Sequence, residues 1–150
     1  MDSDTRKRRM FETLNEIGII QQLATTEFNR RMPDGLHISH FGVINHLCRL
    51  GDGRTPLGIA NAFQVTKATM SHTLARLSDR GLVELKQNPD DGRSKLVYLT
   101  ARGRVFHERA IAAVAPALET MDENLDLEKI IAMLPTLREL RAYLDNNRGA

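Results

Sequence analysis

Val65-Thr-Lys-Ala-Thr-Met-Ser-His-Thr-Leu-Ala-Arg-Leu-Ser-Asp-Arg-Gly-Leu-Val83 decides the reading of this chain. Thr66 is a good N-cap. Met70, Leu74 and Leu77 recur at three- and four-residue steps, which is one buried helix face. Gly81 supplies a C-terminal stop. The remaining positions, Thr66, Lys67, Thr69, Ser71, His72, Thr73 and Arg76, form a polar surface with no acid before Asp79. The stretch predicts a helix over about 66–80 with one apolar and one hydrogen-bonding face.

Immediately upstream, Thr55-Pro56 opens a short helix through Leu57, Ile59, Ala60 and Phe63, because proline is tolerated where no helical partner awaits its N–H. The link between the two helices is only Gln64-Val65. Downstream the period changes from helix to strand. Val83, Leu85 and Gln87 alternate with Glu84 and Lys86, Asn88-Pro-Asp-Asp-Gly92 is dense in turn formers, and Lys95–Leu99 returns. Two short helices, a tight link and a charged hairpin make a winged helix-turn-helix.

Further out, a long helix spans about 5–31, with Ile17, Ile20, Leu23, Ala24 and Phe28 at helical spacing, and Met32-Pro-Asp-Gly35 breaks it. Ser39 is the expected N-cap of a second helix that turns Phe41, Ile44, Leu47 and Cys48 inward and stops at Gly51-Asp-Gly53. Thr100 caps a fifth helix to about Met121, bent or interrupted near Pro116. Leu127 to Leu144 forms a last helical stripe interrupted by Pro135. The expected class is mainly α with a small β-hairpin wing, in a single domain over 1–150.

The chain has 150 residues, 41% apolar and 27% charged, which fits a globular domain. No apolar run approaches a membrane span, and Met1–Met10 is no signal peptide, so a cytoplasmic protein with no membrane partner is expected. A lone cysteine excludes an internal disulfide framework and a four-cysteine zinc site. The net charge of +2 is unevenly placed: residues 1–53 are neutral, 54–104 carry nine basic against four acidic groups, and 105–150 five against eight. The basic middle, centred on the helix-turn-helix, is an electrostatic footprint for a polyanion.

That helix, together with Asp91-Gly-Arg-Ser94 in the wing and Leu99-Thr-Ala-Arg-Gly103 after it, resembles the core of MarR-type transcriptional regulators over about 39–121. The resemblance implies a homodimer whose N- and C-terminal helices (about 5–31 and 101–147) interlock, with two winged-helix lobes (about 39–100). It implies binding of a palindromic DNA operator, usually as a repressor, with the recognition helix in the major groove and the wing (about 88–95) in the minor groove. Carried over by motif, Thr66, Lys67, Thr69, Ser71, His72 and Arg76 meet bases and phosphates. Arg93 enters the minor groove with Asp91 bracing it, and Lys95 adds charge. Relatives often carry Arg at the position of His72. Many members release DNA on binding a small molecule, often phenolic or otherwise aromatic, between lobes and dimerisation helices. Here Phe28, Phe41, Ile44, Val105 and Arg109 are the candidate lining.

Simpler readings stand beside these. Arg93 could be a solvated wing charge, and the Thr66 hydroxyl could be consumed as a cap. Cys48 reads as a small buried hydrophobe, since no cationic pair flanks it. His37, His40 and His46 do not share a helix face, so no metal site is expected, and no cofactor motif is present. A protein-interaction adaptor on the same fold is the alternative to a DNA reader. Its weakness is that it has no use for a cationic wing and an acid-free helix face together. An enzyme is remote: there is no phosphate loop or nucleophile elbow, and Cys48 has no base.

Overall fold

The computed structural model describes residues 1–148. It contains α1 (Ser3–Arg31), a 3-10 turn (Pro33–Gly35), α2 (Ile38–Leu50), α3 (Pro56–Ala62), α4 (Lys67–Asp79), β1 (Val83–Gln87), β2 (Lys95–Leu99), α5 (Ala101–Asn124), α6 (Leu127–Ala132) and α7 (Leu134–Asn146). The chain divides into two compact units, Met1–Val114 and Ala115–Ala150.

In the first unit the core is built where helical and strand periodicities meet. Val43, Ile44 and Leu47 of α2, Ile59 and Ala60 of α3, and Met70, Leu74 and Leu77 of α4 are buried with Val97 of the hairpin and Phe106 and Ala110 of α5. The hairpin is antiparallel with Val83 opposite Leu99 and Gln87 opposite Lys95. The loop before α3 adds a bridge to β2, with Gly53 N–H donating to the Val97 carbonyl and Val97 N–H to that of Arg54, both at 2.9 Å. Asp52 Oδ1 accepts from Leu99 N–H at 2.8 Å. The wing is therefore anchored on both sides of its second strand.

α1 has an N-cap in Asp2, whose carboxylate accepts from Thr5 N–H at 2.8 Å and is held below the usual carboxylate range by that bond. It buries no residue, and Phe11 and Leu23 are 70% and 67% exposed. Ile17 and Phe28 are half-buried, whereas Ile20, on the expected inward stripe, is exposed.

Three helix boundaries differ from expectation. α2 begins at Ile38, so Ser39 lies inside the first turn and does not cap it. Two other residues serve that end. Asn29 Oδ1 accepts from Ile38 N–H at 2.7 Å, and His40 Nδ1 accepts from His37 N–H at 2.9 Å. An imidazole and an amide nine residues away supply the acceptors that a serine supplies at ordinary N-termini. α5 is not interrupted at Pro116, because a proline removes only one ladder bond and the flanking turns carry the helix on.

In the second unit the expected last stripe is two helices. The break falls at Met133, and Pro135 sits in the first turn of α7, where its missing N–H costs nothing. Leu127, Ile131, Leu134, Leu137 and Leu144 of this unit are exposed.

Candidate nucleic-acid interface

α4 starts on a closed hydroxyl circuit. Thr66 Oγ1 accepts from Thr69 N–H at 3.1 Å and donates to Thr69 Oγ1 at 2.9 Å, and Thr73 Oγ1 donates to the Thr69 carbonyl at 3.1 Å. The Thr66 hydroxyl is thus used locally, as its capping role requires. Its effect is to fix the Thr69 side chain, whose oxygen retains free lone-pair capacity. Lys67, Thr69, Ser71, His72 and Arg76 are all exposed on the face opposite Met70, Leu74 and Leu77.

The wing tip is ordered by short polar contacts. Asp91 Oδ1 accepts from Arg93 N–H at 3.0 Å, and the Asp91 carbonyl accepts from Ser94 N–H at 3.1 Å. Asn88 reaches Ser94 Oγ at 2.9 Å and accepts from Asp90 N–H at 3.0 Å, while Gln87 Nε2 donates to the Gly92 carbonyl at 2.8 Å. Asp91 therefore braces Arg93 through its backbone, and the guanidinium is left without a carboxylate. Among the described residues no acid pairs with Lys67, Arg76, Arg93 or Lys95. Unpaired cations on a rigid tip are available to an external anion at no cost in broken ion pairs.

Helix and wing face a common cleft of about 520 Å³. Lys67 and Ser71 of α4 line it with Asp91, Arg93 and Lys95 of the wing. Thr55, Pro56, Leu57, Asn88 and Ser94 complete the wall. Thr69, His72 and Arg76 lie outside the cleft, further along the exposed face. Asn88 and Ser94 were missed in the sequence, although their place in a turn-rich tip beside Arg93 was a usable signal.

The candidate effector lining does not converge. Ile44 is 0% exposed and belongs to the core. Phe41 stacks on His107, with ring centroids 5.4 Å apart and planes at 8°, and His107 Nε2 meets Asn45 Oδ1 at 3.0 Å. Val105 and Arg109 line a separate groove with Asp34 and Phe106.

Cys48 is half-buried, and desolvation raises its thiol pKa, with Arg104 opposing and Asp52 adding. His37 and His40 rings lie 5.8 Å apart, one of them committed to a backbone N–H, and His46 packs on Phe63. No set of three or more His, Cys, Asp or Glu side chains among the described residues is placed to hold a metal ion.

A helix pair with a tight link, a second helix presenting an exposed polar face, and an ordered cationic hairpin beside it define a winged helix-turn-helix protein. Residues 34–94 match the MarR family model. The transcriptional regulator HosA of Escherichia coli O111:H- is 38% identical over 72 residues, covering 48% of this chain and 50% of the relative. HosA of Escherichia coli O157:H7 is 29% identical over 120 residues, 80% and 82% of the two chains. The higher-identity alignment thus spans about half the length of the curated relative it matches. In fold, the chain is similar to the transcriptional regulator BldR of Sulfolobus solfataricus, with a TM-score of 0.77, 21% identity and coverage of 93% and 99%. It is also similar to a mutant Escherichia coli MarR solved with operator DNA, with a TM-score of 0.76, 22% identity and coverage of 88% and 95%. No helix among the described residues is long and apolar enough to cross a membrane.

Proposed function

We propose that this chain is a dimeric, cytoplasmic, sequence-specific DNA-binding transcriptional regulator acting as a repressor. The observation that carries the reading is the shared cleft, where Lys67 and Ser71 of α4 face the unpaired Arg93 and Lys95 of a braced wing. Major-groove readout needs a helix with short polar and cationic side chains, and α4 offers Thr69, Ser71, His72 and Arg76 for it. A narrow minor groove concentrates negative potential, which suits an unpaired arginine at a hairpin tip. Lys67 and Lys95 supply the phosphate attraction that gives affinity without sequence information.

Dimerisation is supported by what α1 leaves uncovered. A 29-residue helix with no buried side chain and with Met10, Phe11, Leu14, Ile19, Ile20 and Leu23 exposed leaves apolar surface in water that a partner helix would cover. The second unit likewise exposes the stripe of α6 and α7. Two-fold pairing would present two copies of α4 to half-sites about one turn, ~34 Å, apart. Release by a small, often phenolic molecule would act by favouring one lobe spacing over another, in proportion to its difference in affinity for the two states.

Selection of bound duplexes from a random-sequence library, followed by footprinting, tests this directly. The expected product is an inverted repeat protected on both half-sites. Failure to enrich any sequence, with equal retention of all duplexes, would remove the sequence-reading role.

A further inference from the structure

The chain contains three Asp-Gly steps: Asp34-Gly35, Asp52-Gly53 and Asp91-Gly92. Asp-Gly is the aspartyl sequence most prone to cyclise, because glycine puts no Cβ beside the nitrogen that attacks the aspartyl Cγ. The fold treats the three steps differently. Asp34 gives both carboxylate oxygens to Arg109, at 3.0 and 3.3 Å, and its carbonyl to Arg80 at 2.7 Å. Asp52 accepts from Leu99 N–H at 2.8 Å and pairs with Arg104 at 3.5 Å, and the Gly53 N–H itself donates to the Val97 carbonyl at 2.9 Å. In the first step the carboxyl is tied away from the next nitrogen. In the second, both reacting groups are tied.

Asp91-Gly92 has neither restraint. Both residues are exposed at the tip of the wing. Asp91 Oδ1 accepts from Arg93 N–H at 3.0 Å, an Asx turn that folds the carboxyl back along the main chain past the Gly92 nitrogen. Among the described residues no cation pairs with this carboxylate, and Gly92 N–H meets no acceptor. A Cβ at position 92 would meet only the flexible end of Gln87, with Nε2 at 3.4 Å, so the backbone here stands in open space.

From these contrasts we infer that Asp91-Gly92 is a self-modification site, at which the folded chain forms isoaspartate while the other two steps are protected. The Gly92 nitrogen bonds to Asp91 Cγ in its carboxylic acid form, and the N–H proton leaves with the acid's hydroxyl as water, closing a cyclic imide. Water then adds back. Opening at Cγ restores aspartate. Opening at the main-chain carbonyl carbon of Asp91 sends the chain through Cγ and frees the α-carboxylate. The product has the mass of the starting protein, and no oxidant, reductant or cofactor enters. It carries one extra backbone methylene, so the bonds from Arg93 N–H and Ser94 N–H to Asp91, and from Gln87 Nε2 to the Gly92 carbonyl, lose their spacing. Arg93 then leaves its braced position, and the wing is retired from DNA. That consequence rests on the DNA-binding reading above; the chemistry does not.

The test is to hold the full native chain at neutral pH and 37 °C and to map isoaspartate by electron-transfer mass spectrometry of its peptides. Methyl transfer from S-adenosylmethionine by an isoaspartyl methyltransferase gives an independent count. Isoaspartate is expected at Asp91, in the peptide of residues 87–93, at least about fivefold faster than at Asp34 or Asp52, whose surroundings must open first. In urea the three rates should converge within about twofold, because those restraints are gone. Gly92→Ala keeps an ordinary backbone angle and should slow the site by about tenfold or more. Equal native rates at the three steps, accumulation at Asp90 instead of Asp91, or a Gly92→Ala variant that ages as wild type does would each overturn the proposal. Passing aged protein over immobilised upstream duplex reads the consequence. The unbound fraction is expected to be enriched in isoaspartate, and equal content in bound and unbound fractions would overturn the loss of the wing. A fresh chain that never binds duplex would sink the DNA reading and leave the peptide map unaffected.

Discussion

Gly103 lies so close under the Leu82 carbonyl that a Cβ at position 103 would overlap the oxygen. The same carbonyl accepts from Thr100 N–H at 3.2 Å, and Thr100 Oγ1 donates to the Gly81 carbonyl at 2.6 Å while accepting from Gly103 N–H at 3.0 Å. The Leu99-Thr-Ala-Arg-Gly103 motif is therefore a latch that fixes the first turn of α5 to the corner between α4 and β1. A backbone oxygen cannot move aside as a flexible side chain does. Gly103→Ala is expected to destabilise the lobe by about 2 kcal/mol or more, against the usual small gain from Gly→Ala within a helix. Chemical denaturation, read by helix signal, measures it. An unchanged midpoint would show that the latch yields without cost.

The wing brace makes a second prediction. Asp91 holds the Arg93 backbone by its Oδ1, which an asparagine also offers. Asp91→Asn should retain DNA affinity within about twofold, whereas Asp91→Ala should weaken it by about three- to tenfold through a less ordered tip. Equal losses in the two variants would mean that the carboxylate acts by charge instead.

Stability should fall in mild acid. His40 is buried, and desolvation first, then His37, Arg76 and Arg80, lower its pKa from the ordinary 6.5. His46 is lowered by desolvation, with Arg54 and Arg49 adding. The unfolded chain therefore binds protons that the folded one refuses. The stabilisation is complete above the unfolded value, about 6.5, and is lost as pH falls from there toward the depressed folded values. His40→Gln keeps an acceptor for the His37 N–H but does not titrate. Thermal melts between pH 8 and pH 5 should show a shallower decline for this variant. Identical slopes would place the pH dependence elsewhere.

The Cys48 thiol should be sluggish. Burial raises its pKa, so less thiolate is present at neutral pH than for a free cysteine. Labelling of the native chain at pH 7.5 is expected to run at least about tenfold slower than that of a model thiol, and Cys48→Ala should bind DNA as wild type. Rapid labelling with loss of DNA binding would make the thiol a sensor.

Much of the winged helix was legible because local chemistry dictates it: Thr66 and Thr100 cap, Gly81 stops, Pro56 opens, and Asn88–Gly92 turns. The apolar face of α4 follows from spacing alone. What escaped is what joins distant positions. The start of α2 is served by Asn29 and His40, neither of which has a sequence pattern that marks it as a cap. The Asp34–Arg109 pair spans 75 positions and the Arg80–Asp34 bond spans 46, distances over which periodicity carries no information. The same limit explains the effector lining. Helical spacing placed Ile44 on an inward face but did not distinguish a core from a pocket.

The central claim is that helix and wing read DNA together, and fluorescence anisotropy tests it most directly. Wild type and Arg93→Ala are titrated with the duplex from the gene's own upstream region and with a scrambled duplex, at several salt concentrations. The account predicts preference for the upstream duplex and a steep salt dependence. It also predicts a loss of about tenfold or more in Arg93→Ala, whose slope on salt is shallower by about one. No binding to either duplex at low salt, or an Arg93→Ala variant indistinguishable from wild type, would contradict it.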